Sequence, residues 1–262
     1  MQKSLKKLSG DSGAGRVRFW GKIRGTACDY YVAEGEVEEE EGAADLGEEA
    51  EAPGTGVNKF TYWVAHSSLG AWTKLPHLTP GDVSAARGIK VLFSGDLERT
   101  IYTNPFFFGK EKFYLRAQIA RISHSTTLCP KEEFKLTEDA PRDIEPNVDD
   151  EGNKTTPTTK QMSSSSMWVH HSVGILKKAK TSHGEPEVPD GSEETPEELL
   201  AKIEAEDPYD PRLKPIDDDN KVTVSKSAKM CPWVVKLMGD STEYKTEQGK
   251  NVSNGVAVVR SL

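Results

Sequence analysis

Most of the chain's large apolar residues fall in one stretch, Gly56 to Ile122, and the long acidic tracts lie outside it. A core needs clustered apolar side chains to offset the entropy lost on ordering the backbone. The fold must therefore be built around this part of the sequence. The stretch contains Gly56-Val-Asn-Lys-Phe-Thr-Tyr-Trp-Val64, Trp72-Thr-Lys-Leu-Pro76, Phe93-Ser-Gly-Asp-Leu97 and Tyr114-Leu-Arg-Ala-Gln-Ile-Ala-Arg-Ile122.

Charge is distributed as unevenly as hydrophobicity. The 262 residues carry a net charge of -8, and ten acidic residues with no basic one lie between Glu34 and Glu51. Without those ten carboxylates the chain stands at +2, with no clustered basic face. That argues against electrostatically driven nucleic-acid binding. The three cysteines, Cys28, Cys129 and Cys231, are widely spaced and odd in number. They suggest neither a disulfide framework nor a zinc site, and point to a reducing compartment. Residues 1–15 are polar and basic without the apolar segment of a secretory signal, and no run approaches the roughly eighteen apolar residues of a membrane helix. The expectation is a soluble intracellular protein without nucleic-acid or membrane partners.

Read in order, Leu5 to Leu8 suggests a short helix stopped by the Gly-rich run at 10–15. Arg16 to Ile23 alternates, with Val17, Phe19 and Gly21 on one face and Arg16, Arg18 and Lys22 nearer the other; Trp20 departs from the pattern. With Tyr30 to Ala33 it predicts a β-hairpin. The tract 34–51 is expected to be a solvated loop. Lys59 to Ala65 is aromatic and β-branched and predicts a strand pairing with that hairpin. Thr79-Pro80, with Asp82 in the first turn, opens a helix whose apolar stripe runs through Val83, Ala86, Ile89 and Phe93 and which ends at Gly95. Asn104 to Gly109 is a turn carrying Phe106, Phe107 and Phe108, suited to a core and secondarily to a contact surface. Tyr114 to Ile122 fits both a helical face and a strand's alternation, and the following Ser/Thr residues tip the reading to strand.

Farther on, 138–166 has almost no large apolar residue and reads as a linker or disordered insert. Met167 to Leu176 is an apolar island predicted to be helical. Thr195-Pro-Glu-Glu-Leu-Leu-Ala-Lys-Ile203 has the N-cap, proline and acidic first turn of a helix. Cys231 to Leu237 and Gly255 to Arg260 predict two strands. The expected fold class is α+β, a β-rich mixed domain with few helices, interrupted by long acidic disordered inserts. Its expected divisions are an N-terminal polar segment (1–15), a β-rich core module (16–137, with an acidic insert at 34–55) and a disordered linker (138–166). A short helical element (167–180), an acidic linker with one short helix (181–229) and incomplete C-terminal strands (230–262) follow.

Motifs that carry catalysis are missing from the sequence: there is no P-loop, dinucleotide fingerprint, HExxH or GxSxG. His170 and His171, read on a helix, diverge by about 100° and cannot chelate one ion as an i, i+4 pair would. His66, His77 and His124 have serines nearby, but proximity in sequence does not make a triad. The expectation is a protein that is not an enzyme, with no catalytic, cofactor-binding or metal residues and no cofactor. Large rings spread over several modules, Trp20, Tyr30, Tyr62, Trp63, Trp72, Trp168 and Trp233 among them, suit an assembly subunit.

The ordered motifs resemble the radial spoke head proteins of the 4/6 type. They are Val17-Arg-Phe-Trp-Gly-Lys-Ile23, Asp29-Tyr-Tyr-Val-Ala-Glu34, Gly56 to Val64, Trp72 to Pro76, Thr79-Pro80, Ala86-Arg87, Phe93 to Leu97 and Tyr114 to Ser123. Trp168-Val-His-His171, Ile175-Leu176, Pro232-Trp233 and Val256-Ala-Val-Val259 extend the match. Glu98 to Ile101 and Asn104 to Gly109 depart from the family's proline-rich wording, and relative to the family the chain looks truncated at both ends. The resemblance implies a non-enzymatic structural subunit of the radial spoke head, in the axoneme of cilia and flagella within the cytoskeleton. There the spoke meets the central pair and regulates dynein-driven motility. It implies as partners the 4/6 paralogue, as homodimer or heterodimer, other spoke-head subunits resembling radial spoke head proteins 9 and 1, and transiently the central pair. A cytosolic adaptor with acidic interaction loops is the alternative.

Overall fold

The computed structural model describes residues 1–37, 47, 50–107, 109–138, 142–149, 152, 154, 157–184, 186, 188, 194–219, 222–225, 228–230, 232–240, 242–245, 251–253 and 255–261. The predicted loop at 34–51 falls largely outside them; where it is described at its start, Glu34 to Glu36 are strand and Glu34 is buried, which corrects that part of the reading. The chain forms two compact units, one from Met1–His124 with Gly174–Tyr209 and the other from Ser125–Val173 with Asp210–Leu262. The class is α+β, with four α-helices and many antiparallel strands among the described residues.

In the first unit, α1 (Gln2–Ser12) precedes the hairpin of β1 (Arg16–Ile23) and β2 (Tyr30–Glu36). β3 (Thr61–Ala65) pairs with β2 and the short β4 (Thr73–Lys74) with β3, in an antiparallel sheet of order β1-β2-β3-β4. All of β3 and most of β2 are buried, because both faces of the sheet are covered. On one face Leu5 and Leu8 of α1 pack with Val17, Ala33, Trp63 and Trp72. On the other, Leu115 and Ile119 pack with Tyr30, Val32, Tyr62 and Val64.

Trp20 breaks the alternation of β1 for a physical reason. The register shifts between Phe19 and Gly21, so Phe19 lies opposite Ala33 but Gly21 opposite Val32. The bulge supplies one extra residue, and Trp20 and Ile23 both join the cluster beneath α3 (Glu111–Thr126). Lys22 is thereby opposite Tyr31, with its ammonium 5.1 Å from that ring, and not on the side of Arg18.

Tyr114 to Ile122 is helical, which corrects the strand reading. Leu115 and Ile119 meet the sheet, while Tyr114, Ala117 and Ala120 meet a second cluster with Val83, Ala86, Ile101 and Phe107. Apolar residues on two sides of a helix blur its 3.6-residue period. The other helix of this region, α2 (Pro80–Gly88), starts as predicted: Thr79 Oγ1 accepts from Asp82 N, and Asp82 Oδ2 accepts from Thr79 N. It stops at Gly88, short of the predicted Gly95. Ile89 is extended, and the backbone beyond it makes other bonds: Val91 N donates to Tyr114 Oη, and Phe93 O accepts from Thr26 N. Gly95 serves a different need. Its φ is +99°, and a Cβ there would lie 2.6 Å from Cys28 O. The chain returns at Gly174, and α4 (Pro196–Glu206) has the predicted Thr195 cap, with Glu198 completing the reciprocal bond.

The second unit consists of two-stranded antiparallel pieces. β5 (Leu128–Pro130) pairs with β8 (Trp168–His170), and β6 (Phe134–Leu136) with β7 (Ile144–Pro146). Thus Trp168 to His170 is strand, not the predicted helix: a short apolar run fits either, and the partner strand decides. β7, in the stretch read as a linker, likewise has a partner. β9 (Val222–Ser225) pairs with β10 (Ala228–Met230), and β12 (Glu243–Lys245) with β13 (Asn251–Ser253). The two predicted C-terminal strands form β11 (Trp233–Met238) and β14 (Val256–Ser261), paired with each other from Trp233↔Ser261 to Met238↔Val256.

Candidate functional site: a buried polar frame and an aromatic loop

Charged and polar side chains hold the core of the first unit together. The first node is Glu111 at the start of α3, 1% exposed. Its Oε1 accepts from Tyr30 Oη (2.9 Å), Ser94 N (2.8 Å) and Gly95 N (3.0 Å), and its Oε2 from Ser94 Oγ (2.7 Å). Arg99 Nε lies 3.4 Å from Oε2. A buried carboxylate persists only when its lone pairs are met, and here β2, the 94–95 turn and α3 meet them together. Burial, reinforced by the Glu111 carboxylate, pushes the Tyr30 phenol up.

One turn along α3, Arg116 is also 1% exposed. Its Nη2 donates to Val57 O at 2.8 Å, and its guanidinium carbon is 4.5 Å from the centroid of Tyr62. Burial draws the guanidinium down to about 10, and pushes Tyr62 up to about 12. Nearby, Asn58 is fully buried. Its Nδ2 donates to Glu51 O and Leu78 O, and its Oδ1 accepts from Leu78 N. Glu51, the last carboxylate of the acidic tract, accepts from Val57 N, Thr181 N and Thr181 Oγ1. Arg87 at the end of α2 donates to the carbonyls of Ile175, Leu176 and Lys177. Motifs separated by nearly ninety residues, Ala86-Arg87 and Ile175-Leu176, thus meet in space.

The aromatic turn divides its rings between core and surface. Phe107 is 2% exposed and packs edge-on to Tyr114, whereas Phe106 is half-exposed; Phe108 lies outside the described residues. Thr100, Phe106, Phe107, Gly109, Lys110, Lys112 and Phe113 line an open depression of about 460 Å³. Lys110 and Lys112 both pair with Glu98 at its rim. Tyr102 and Leu92 are also well exposed.

In the second unit Asp219 is the node. It accepts from Lys214 Nζ (2.8 Å) and Trp233 Nε1 (2.9 Å), and its Oδ2 is 2.6 Å from His170 Nε2. Burial alone would raise its pKa, but these three partners outweigh burial and hold it below the usual carboxylate range. His171 stacks on Phe134 with centroids 4.7 Å apart. Adjacent residues in and just beyond a strand point apart, so the two histidines go to different partners. His66 lies against the ring of Tyr30, and Ser123 Oγ accepts from Trp20 Nε1. Among the described residues no group of three or more His, Cys, Asp or Glu could hold a metal ion.

The residues that organise these nodes, Glu111, Arg116, Asn58, Arg87 and Asp219, were not singled out by sequence reasoning. For Asn58, Arg87 and Arg116 the available signal was their position inside ordered motifs; Glu111 falls between motifs and Asp219 within the acidic linker, and neither carried one. The arrangement cross-links turns and helix ends to the sheet and leaves aromatic and apolar groups at the surface.

The profile of the radial spokehead-like protein family matches residues 1–52 and 46–262. The chain is 32% identical over 252 residues to "Flagellar radial spoke protein 4" of Chlamydomonas reinhardtii, covering 89% of this chain and 52% of that protein. It is 30% identical to "Radial spoke head protein 6 homolog A" of Mus musculus, over 89% of this chain and 40% of the relative. With "Radial spoke head protein 4 homolog A" of Homo sapiens it shares 34% identity over 68% of this chain and 30% of the relative. The chain therefore spans about half the length, or less, of these relatives.

Proposed function

Because the chain belongs to the radial spokehead-like protein family, we propose that it is a structural, non-enzymatic subunit of the radial spoke head in the axoneme of motile cilia or flagella. The observation that carries this reading is the extent of the family match, which runs through both compact units. The buried frame supports it, since a part that transmits contact forces needs its turns and helices tied to the sheet. In this role the subunit pairs with a 4/6-type paralogue or a second copy, packs with other spoke-head subunits resembling radial spoke head proteins 9 and 1, and meets the central pair transiently. Contact of this kind regulates dynein-driven bending. The packing role is assigned to the β-rich module 16–137, of which residues 16–124 belong to the first unit, and a spacer role to the acidic residues that follow β2. Dense like charge keeps repeated contacts from becoming adhesive.

The test is to express a tagged copy in a ciliated cell and probe detergent-extracted axonemes. Retention in wild-type axonemes and loss from spoke-deficient ones is expected. Release into the detergent fraction would instead favour a soluble adaptor. For the acidic tract, neutralising the carboxylates from Glu36 to Glu49, with Glu51 kept for its bonds to Val57 and Thr181, should change beating or the spacing between spoke and central pair; an unchanged waveform and spacing would remove the spacer role.

A further inference from the structure

Among the described residues the sheet of the first unit has one long open edge, and we propose that this edge, β1, takes an acidic extended segment of a partner protein as a fifth strand. The inference rests on the sheet alone and does not require the spoke-head assignment. Sheet order places β1 and β4 at the two margins, and β4 is only two residues long against eight in β1. Both faces are closed, by α1 on one side and α3 on the other. Among the described residues, no backbone group of β1 bonds to anything beyond β2. An edge of this kind is a template for another strand.

The side chains select the occupant. Arg16-Val-Arg-Phe-Trp-Gly-Lys-Ile-Arg24 holds four cations and no carboxylate. Arg18 is paired with Glu34 (2.5 Å) and Lys22 with Asp29 (2.7 Å). Arg16 and Arg24, at the two ends, are exposed and make no ion pair among the described residues. Between them Phe19 is 43% exposed and offers an apolar contact. A second copy of β1 would set cation near cation across the new ladder, which is destabilising. A neutral strand would leave the terminal arginines unused. An acidic strand with apolar residues on the Phe19 side satisfies the ladder, the ring and Arg16 on the opposite face, while Arg24, just past the end of β1, attracts the end of that strand.

The test uses the full chain and two fluorescein-labelled octapeptides, one alternating Val with Glu and the other Val with Lys. Fluorescence anisotropy reads binding, and hydrogen exchange reads protection of the amides of Arg16 to Ile23. The Glu peptide is expected to bind, to weaken as salt rises, and to slow exchange in β1 while the Lys peptide does neither. The double variant Arg16→Glu/Arg24→Glu should lose about tenfold or more in affinity, with the thermal unfolding of the free protein unchanged. If that variant unfolds early, Arg16→Gln/Arg24→Gln provides the same comparison without reversed charge. Equal binding of both peptides, binding without protection of β1, no binding at all, or undiminished binding by the folded variant would overturn the proposal. Protection of β1 that rises with protein concentration in the absence of peptide would assign the edge to a second copy and overturn it as well.

Discussion

At the scale of single residues, the positions that matter most are those where the backbone or a charge has no alternative. Gly95 combines φ of +99° with a Cys28 backbone that leaves no room for a methyl group. Gly95→Ala should destabilise the protein by about 2 kcal/mol or more, read as a lowered denaturation midpoint. A loss like that of an ordinary exposed Gly→Ala change would contradict the close approach. Tyr30 and Tyr62 supply a pH prediction. Both phenols are raised when folded, Tyr62 to about 12, so their contribution is complete below the unfolded value near 10 and is lost as pH climbs through the folded values. Arg116, lowered to about 10, acts in the opposite sense above that pH. With two groups against one, stability should fall as pH rises from about 10. Tyrosinate absorbance should show Tyr30 and Tyr62 ionising late, with that lag abolished in denaturant.

At the scale of elements, local signals and tertiary neighbours share the decision. The caps of α2 and α4 were legible because a Thr-Pro start with a carboxylate at the third position closes a local bond network. Thr79→Ala should cost about 1 kcal/mol of global stability, since α2 buries Val83 and Ala86 in the core. In α4 no residue is buried. Thr195→Ala should therefore fray that helix, seen by hydrogen exchange, with little change in global unfolding. Equal global losses in the two variants would mean that α4 is as tightly coupled as α2. The helix α3 was misread as a strand because it is apolar towards both the sheet and α2. The strand β8 was misread as a helix because three residues are too few to show a period, and only pairing with β5 defines them.

At the scale of the whole molecule, the chain passes out of the first unit at His124 and re-enters at Gly174. The returning segment supplies the carbonyls bound by Arg87 and the Thr181 groups bound by Glu51. A fragment ending at Thr126 leaves a partly buried arginine and a carboxylate without these partners. It should unfold at a clearly lower temperature than the intact chain, and adding residues 174–209 through a flexible linker should recover the difference. A fragment as stable as the intact chain would show that the returning segment adds nothing.

What the sequence determined by itself is local. It gave the β1–β2 hairpin and its pairing with β3, the starts of α2 and α4 and the two C-terminal strands. In each, alternation, a cap or a β-branched run is read within a few residues. The α+β class follows from those pieces, and the family from the order of the motifs. Only the tertiary structure decided the conformation of α3 and β8, the bulge that turns Trp20 inward, the role of Gly95, and the meeting of Glu111, Arg116, Arg87 and Asp219 with their partners. The physical reason is common to all of them. Each depends on what lies across the core, and a buried charge or a two-sided helix acquires its meaning from neighbours distant along the chain.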